Sequence, residues 1–199
     1  MTKPLVDFWF EFASTYSYLS AMRLPGAAAA AGVSIRWHPF LLGPIFAAQG
    51  LPDSPFKVYP TKGRYMWRDM QRRADQLGLP FRRLEKFPQN GLHAARIAQL
   101  ALQQPGGIAF CQNFYLAEFA EGHDVSDPDV LGDCAARAGL TEDILTRANM
   151  ADNKLALRHA TEIAREQGLF GAPSFLVGTE LFWGDDRLQD ALDWAVRHG

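Results

Sequence analysis

The segment Asp7-Phe8-Trp9-Phe10-Glu11-Phe12 sets Phe8, Phe10 and Phe12 on one face of an extended chain and is dense in strand-favouring aromatics. It reads as a buried central strand. Within a few residues the pattern becomes helical, from Tyr16 to Ala31, and stops at Gly32. A strand that turns so abruptly into a helix leaves Ser14-Thr15-Tyr16-Ser17 among unpaired backbone N–H groups, at the positive end of the helix dipole. Such a position lowers the pKa of a nearby thiol. No cysteine occurs there, so a thiolate stabilised at Ser14 must arrive on another molecule. On the residues alone, Ser14 reads first as a plain helix N-cap.

The rest of the chain frames that turn. Ser34 to Phe40 alternates apolar and polar residues and reads as a second strand ended near Pro39, completing a β-α-β start. From Leu41 to Lys62 the density of Pro and Gly predicts a long loop. Helical patterns follow over Gly63 to Leu77, Asn90 to Gln104, Gly107 to Glu121, Pro128 to Arg137, Glu142 to Asn149 and Asp152 to Gln167. In the first of these, Arg64, Arg68 and Arg72 form a stripe that is either a solvated face or the source of one arginine for an anionic substrate. The closing segment offers a turn into a strand (Gly171 to Gly178), a two-residue link Gly178-Thr179, a second strand (Glu180 to Trp183) and a last helix capped by Asp186. A β-α-β unit at the start and a β-β-α unit at the end are the two halves of a thioredoxin-like α/β domain. The expected division is therefore residues 1–42 and 166–199 for that domain, with 43–165 an inserted all-helical part.

Composition narrows the partners. With 199 residues, 48% of them hydrophobic, the chain can bury a sizeable core. A formal net charge of −2 and the lack of any Lys/Arg block argue against nucleic acid or an anionic membrane as partner. No apolar run approaches the ~20 residues of a bilayer span. The N-terminal stretch Met1-Thr2-Lys3-Pro4 has no apolar leader pattern, so a cytoplasmic location is the expectation. Cys111 and Cys134 stand apart in helical patterns and read as core thiols. The five histidines show no H-x-H or H-E-x-x-H spacing, and no metal is expected.

Three distant features converge once that fold is assumed. Ser14 sits at the first strand-to-helix turn. Pro173 follows a small residue and precedes a strand, where a cis-proline would face the turn and leave the backbone of Ala172 open to strand-like pairing with an extended peptide. Gly184-Asp185-Asp186-Arg187 opens the last helix, where carboxylates and backbone N–H groups could hold the two ends of a small zwitterion. Trp183, just before that turn, is the tryptophan expected to border the pocket. The Asn90-Gly91 pair reads as simple helix capping.

At these residues the chain resembles a known family. Asp7-Phe-Trp-Phe-Glu-Phe-Ala-Ser14-Thr-Tyr-Ser-Tyr-Leu19 is similar to the D-F-x-x-D-x-x-S-P-(Y/F)-S-(Y/W)-L signature of 2-hydroxychromene-2-carboxylate isomerases and kappa-class glutathione transferases. Phe170-Gly-Ala-Pro-Ser174 resembles their F-G-(V/L)-P-(S/T), and Phe182-Trp-Gly-Asp-Asp-Arg-Leu188 the isomerases' W-W-G-N-D-R-L. Pro60-Thr-Lys62-Gly63 matches the P-x-K-G of the kappa transferases, whose lysine contacts glutathione. Thr15 stands for the usual proline, Ala172 for Val or Leu, and Asp185 for a frequent Asn.

The resemblance implies glutathione as cofactor, with Ser14 donating a hydrogen bond to its sulfur, and Lys62, Ala172, Pro173, Gly184, Asp185 and Asp186 binding the tripeptide. The implied reaction interconverts 2-hydroxychromene-2-carboxylate and trans-o-hydroxybenzylidenepyruvate, in aromatic catabolism, by reversible thiolate addition. A kappa-like glutathione transferase or peroxidase is the alternative, and a homodimer is implied in either case. A disulfide oxidoreductase would need cysteine at 14 and 17, and a non-catalytic glutathione-binding protein remains a third reading.

Overall fold

The computed structural model describes residues 3–199; Met1 and Thr2, the beginning of the N-terminal stretch noted above, lie outside the described residues. The first strand, β1 (Leu5–Phe10), leads into α1 (Thr15–Ala31) and β2 (Ser34–Pro39), and the chain closes with β3 (Ser174–Val177), β4 (Glu180–Trp183), a 3-10 turn Asp185–Arg187 and a final helix, α10 (Leu188–His198). The sheet order is β2-β1-β3-β4, with β1 parallel to β2 and antiparallel to β3. The hairpin β3–β4 turns through Gly178, whose φ of 61° a side-chain-bearing residue would resist. This is the thioredoxin-like arrangement of a β-α-β and a β-β-α half.

β1 is central because both of its faces are apolar. Phe8 and Phe10 pack with α1, α10 and the inserted helices, whereas Trp9 joins Phe40, Ile45, Ala164 and Leu176 on the other side of the sheet. Both phenylalanines are fully buried, so truncating either to alanine costs about 3–5 kcal/mol. Residues from both halves and from the inserted helices share the larger of these two clusters.

Between the halves run α2 (Leu42–Ala48), α3 (Pro55–Val58), α4 (Pro60–Leu77), α5 (Leu92–Ala101), α6 (Gly107–Leu116), which continues as a π-helical turn over Ala117–Glu121, α7 (Pro128–Arg137), α8 (Ile144–Ala148) and α9 (Ala151–Glu166). The expected loop over Leu41 to Lys62 is corrected here: most of it is helical. Pro44, Pro55 and Pro60 lie in first turns, where the backbone N–H has no intrahelical acceptor, so proline starts these helices instead of breaking them. Pro25 is different, since it stands inside α1 and removes the donor for the carbonyl of Ala21. Gln112 Nε2 of α6 donates to that carbonyl at 3.0 Å, which ties the inserted helices to α1.

No helix of the described residues is long and apolar enough to cross a membrane. Both cysteines are free and buried.

Candidate active site

Ser14 is at once an N-cap and a cavity residue. Its backbone is extended (φ −88°, ψ 113°), its N–H donates to the Glu11 carbonyl at 3.0 Å, and its Oγ accepts from the Ser17 N–H at 3.2 Å. The same hydroxyl donates to the carbonyl of Ala172 at 2.8 Å, across 158 residues of chain. The Ala172–Pro173 peptide is cis. The Pro173 carbonyl in turn accepts from the Gly184 N–H at 3.0 Å. Two hydrogen bonds thus link the three sequence features in series: α1's first turn, the strand entrance and the 184–187 turn.

Ser14, Lys62, Ala172, Trp183, Gly184, Asp185 and Asp186 line one cavity of about 1530 Å³, while Pro173 is not part of its lining. Lys62 stands in the first turn of α4, not on a loop, and adds its charge to the positive end of an 18-residue helix. Its Nζ lies 4.9 Å from the centre of the Tyr59 ring. Gly63 beside it is required sterically, because a Cβ there would lie 2.3 Å from the carbonyl oxygen of Phe56 on α3. Trp183 is 52% exposed on the cavity wall and meets Phe170 edge-on at 4.9 Å. Gly171 allows this, since a Cβ would come within 2.3 Å of the indole nitrogen.

The two neighbouring aspartates differ. Asp186 is open to solvent and pairs at 3.2 Å with Arg187, itself exposed. Asp185 is 2% exposed, and its carboxylate is enclosed by the guanidinium groups of Arg23 and Arg73. Arg23 also donates to the Asp185 carbonyl at 3.0 Å. The expectation that both carboxylates are open to a ligand's ammonium is therefore corrected for Asp185, which instead braces the turn against α1 and α4. Two cations around one anion leave a net positive charge beneath the cavity. Asp186 also does not cap α10, whose N-cap is Arg187 without a side-chain hydrogen bond.

Several cavity residues were not singled out from the sequence. Arg73, one position beyond the Arg64/Arg68/Arg72 stripe, is the arginine of α4 on the cavity wall. Tyr16 donates to Asp69 Oδ2 at 2.9 Å, and burial together with that carboxylate holds its phenol well above the ordinary range. Leu42, Phe46, Leu51 and Pro52 supply an apolar wall from the segment read as a loop. Asn90, read from the sequence as the helix cap, lines the cavity instead and accepts from the Leu92 N–H at 3.1 Å, while the N-cap of α5 is Gly91. Glu11 reaches the wall too, and burial pushes its carboxyl up to about 7, opposed by a hydrogen bond from the Ala13 backbone. The signals available for Glu11 were its place three residues before Ser14 and its match to the second acidic position of the D-F-x-x-D-x-x-S signature.

A hydroxyl at a helix N-terminus, an open backbone edge, cations and an apolar wall form a site for an anionic, extended ligand beside a hydrophobic one. Comparison with known proteins agrees with the fold. The model of the DSBA-like thioredoxin domain matches residues 5–193. A 2-hydroxychromene-2-carboxylate isomerase of Sphingobium xenophagum is 31% identical, over 94% of this chain and 95% of its own. Glutathione s-transferase kappa 2 of Caenorhabditis elegans is 23% identical, over 96% and 92%. A solved structure of 2-hydroxychromene-2-carboxylate isomerase superposes with a TM-score of 0.86, at 24% identity over 97% of this chain and 95% of that one. The chain belongs to the DSBA-like thioredoxin-domain family, and within it to the group that includes the 2-hydroxychromene-2-carboxylate isomerases.

Proposed function

We propose that this chain is a glutathione-dependent isomerase that interconverts 2-hydroxychromene-2-carboxylate and trans-o-hydroxybenzylidenepyruvate. The observation that carries the reading is the 2.8 Å bond from Ser14 Oγ to the Ala172 carbonyl inside the large cavity. In a strand-like complex the cysteinyl N–H of glutathione takes over that carbonyl, as an added strand would. The Ser14 hydroxyl is then released to donate to the sulfur, and with the first turn of α1 it favours thiolate over thiol. Asp186 takes the ligand's ammonium. Lys62 and the start of α4 take a carboxylate, and Pro173 and Gly184 hold the Ala172 edge and the 184–187 turn in register.

The thiolate adds to the conjugated enone of the opened substrate, and electrons move onto the carbonyl oxygen. The former C=C, now a single bond, rotates; collapse of the enolate expels the thiolate and leaves the other geometry. Glutathione is regenerated. The apolar wall with Trp183 and Phe170 suits the substrate's aromatic ring. No oxidant is used, which suits the reducing cytoplasm, where we place the enzyme as a homodimer.

A transferase reading has one observation of its own: the Pro60-Thr61-Lys62-Gly63 segment, with Lys62 on the cavity wall. It uses the same thiolate but releases the conjugate. The test is calorimetric titration with glutathione and S-methylglutathione, followed by isomerisation and conjugation assays on the same sample. Saturable binding and substrate interconversion without consumption of glutathione are expected; stoichiometric consumption selects the transferase, and no binding refutes both.

A further inference from the structure

One buried polar group is left unused by the chemistry above. Glu118, on the π-helical turn after α6, is fully buried, and neither of its carboxyl oxygens has a hydrogen-bond partner among the described residues. Glu11 is close enough to act on it by charge and is tied to the active turn: its backbone carbonyl accepts from the Tyr115 hydroxyl and from the Ser14 N–H, each at 3.0 Å. Tyr115 of α6 feels the charge of both carboxyls and of Cys111, and among the described residues no cation offsets the burial of either carboxyl. Two carboxylates without a cation cannot both be charged in such a place. Burial and the nearby Glu11 hold Glu118 far above the usual range, so it stays protonated. Glu11 alone reaches the cavity wall.

We propose that Glu11 is the proton acceptor of this site, taking the proton of the bound thiol as it becomes the thiolate. The inference rests on the glutathione reading. The step balances: the S–H bond breaks, its electron pair stays on sulfur, and the proton forms the O–H of the Glu11 carboxyl, with nothing oxidised and nothing passed to solvent. The negative charge moves from the carboxylate to the sulfur, next to the α1 N-terminus that stabilises it. The same proton returns to sulfur when glutathione leaves. A carboxyl brought near neutrality matches an acceptor that must hold and return a proton at that pH.

Three measurements test this. In the free protein, carbon-13 carboxyl shifts of labelled glutamate should show one group titrating near neutrality that disappears in Glu11→Gln. Titration of Glu11 in the ordinary carboxylate range overturns the proposal without any ligand. Next, glutathione is titrated about one pH unit above the Glu11 titration, where the free protein holds that carboxyl ionised, in two buffers of different ionisation enthalpy while thiolate absorbance is followed. The wild type should form thiolate with almost no proton released, Glu11→Gln should release close to one proton per thiolate formed, and S-methylglutathione should release none in either. One proton released by the wild type overturns the proposal, and this arm needs no variant to fold. Failure of glutathione to bind at all overturns the glutathione reading and this proton route with it, whereas binding with one proton released overturns the proton route alone. Finally, the acid limb of the pH–rate profile should move in Glu11→Gln, which a purely structural role would not cause.

Discussion

Replacing Ser14 by alanine separates two roles that one hydroxyl performs. Its Oγ accepts from the Ser17 N–H at 3.2 Å, and losing an N-cap of this kind costs about 1 kcal/mol. The Ala172 carbonyl also loses its donor, but it faces the cavity and can be solvated, so that cost is small. For a chain of this size the melting temperature should therefore drop by only about 2–4 °C. Turnover should fall ~10²-fold or more, because a donor aimed at developing charge is worth about 2.7–4 kcal/mol. Ser14→Gly is the control: glycine restores most of the cap, since it costs only about a few tenths of a kcal/mol there, but supplies no hydroxyl. Thermal melts, calorimetric titration of glutathione and steady-state isomerisation should be run on all three proteins. Both variants should bind glutathione and both should be slow, with Ser14→Gly nearly as stable as the wild type. If Ser14→Ala turns over at the wild-type rate, or Ser14→Gly recovers activity along with stability, the hydroxyl is only a cap.

Asp185→Ala leaves Arg23 and Arg73 facing each other beneath the cavity and should cost about 3–5 kcal/mol, on the order of 10 °C in the melt, whereas Asp186→Asn should melt as wild type and bind glutathione more weakly by calorimetry. Burial raises the Asp7 carboxyl, but His38 and Arg36 outweigh it and hold the group at about 2. A depressed carboxyl stabilises the fold above its unfolded value of 3.8 and loses that contribution as pH falls toward 2; with Arg36 largely exposed this is worth about 1–2 kcal/mol, and denaturant midpoints of Asp7→Asn against pH should lack that acid limb. Glu11 has the opposite sign: raised from 4.5 to about 7, it binds an extra proton in the native state, so stability falls as pH rises across that window, by up to about 3 kcal/mol. Glu11→Gln should flatten this loss in melts from pH 5 to 8; an unchanged slope would mean the carboxyl titrates normally.

Local pattern was enough wherever one element decided its own state. The alternation of Phe8 and Phe10, the helix stopped at Gly32 and the two-residue link at Gly178 are all short-range consequences of side-chain volume and backbone freedom, and each element forms where its residues indicate. Proline was misleading between Leu41 and Lys62 because its effect depends on position within a helix: the same ring that breaks an interior starts a first turn. The sequence therefore determined the two half-domains, the place of Ser14 at their junction and the absence of an internal thiol at that turn. Only the tertiary structure decided which groups meet across the sheet. Asp185 and Asp186 are adjacent in the chain, yet one is locked between arginines from α1 and α4 while the other is exposed beside its neighbour Arg187, and Glu11 on the cavity wall meets Tyr115 and Glu118 from about a hundred residues away. Burial and charge pairing are sums over neighbours a hundred residues away, and no local pattern encodes them.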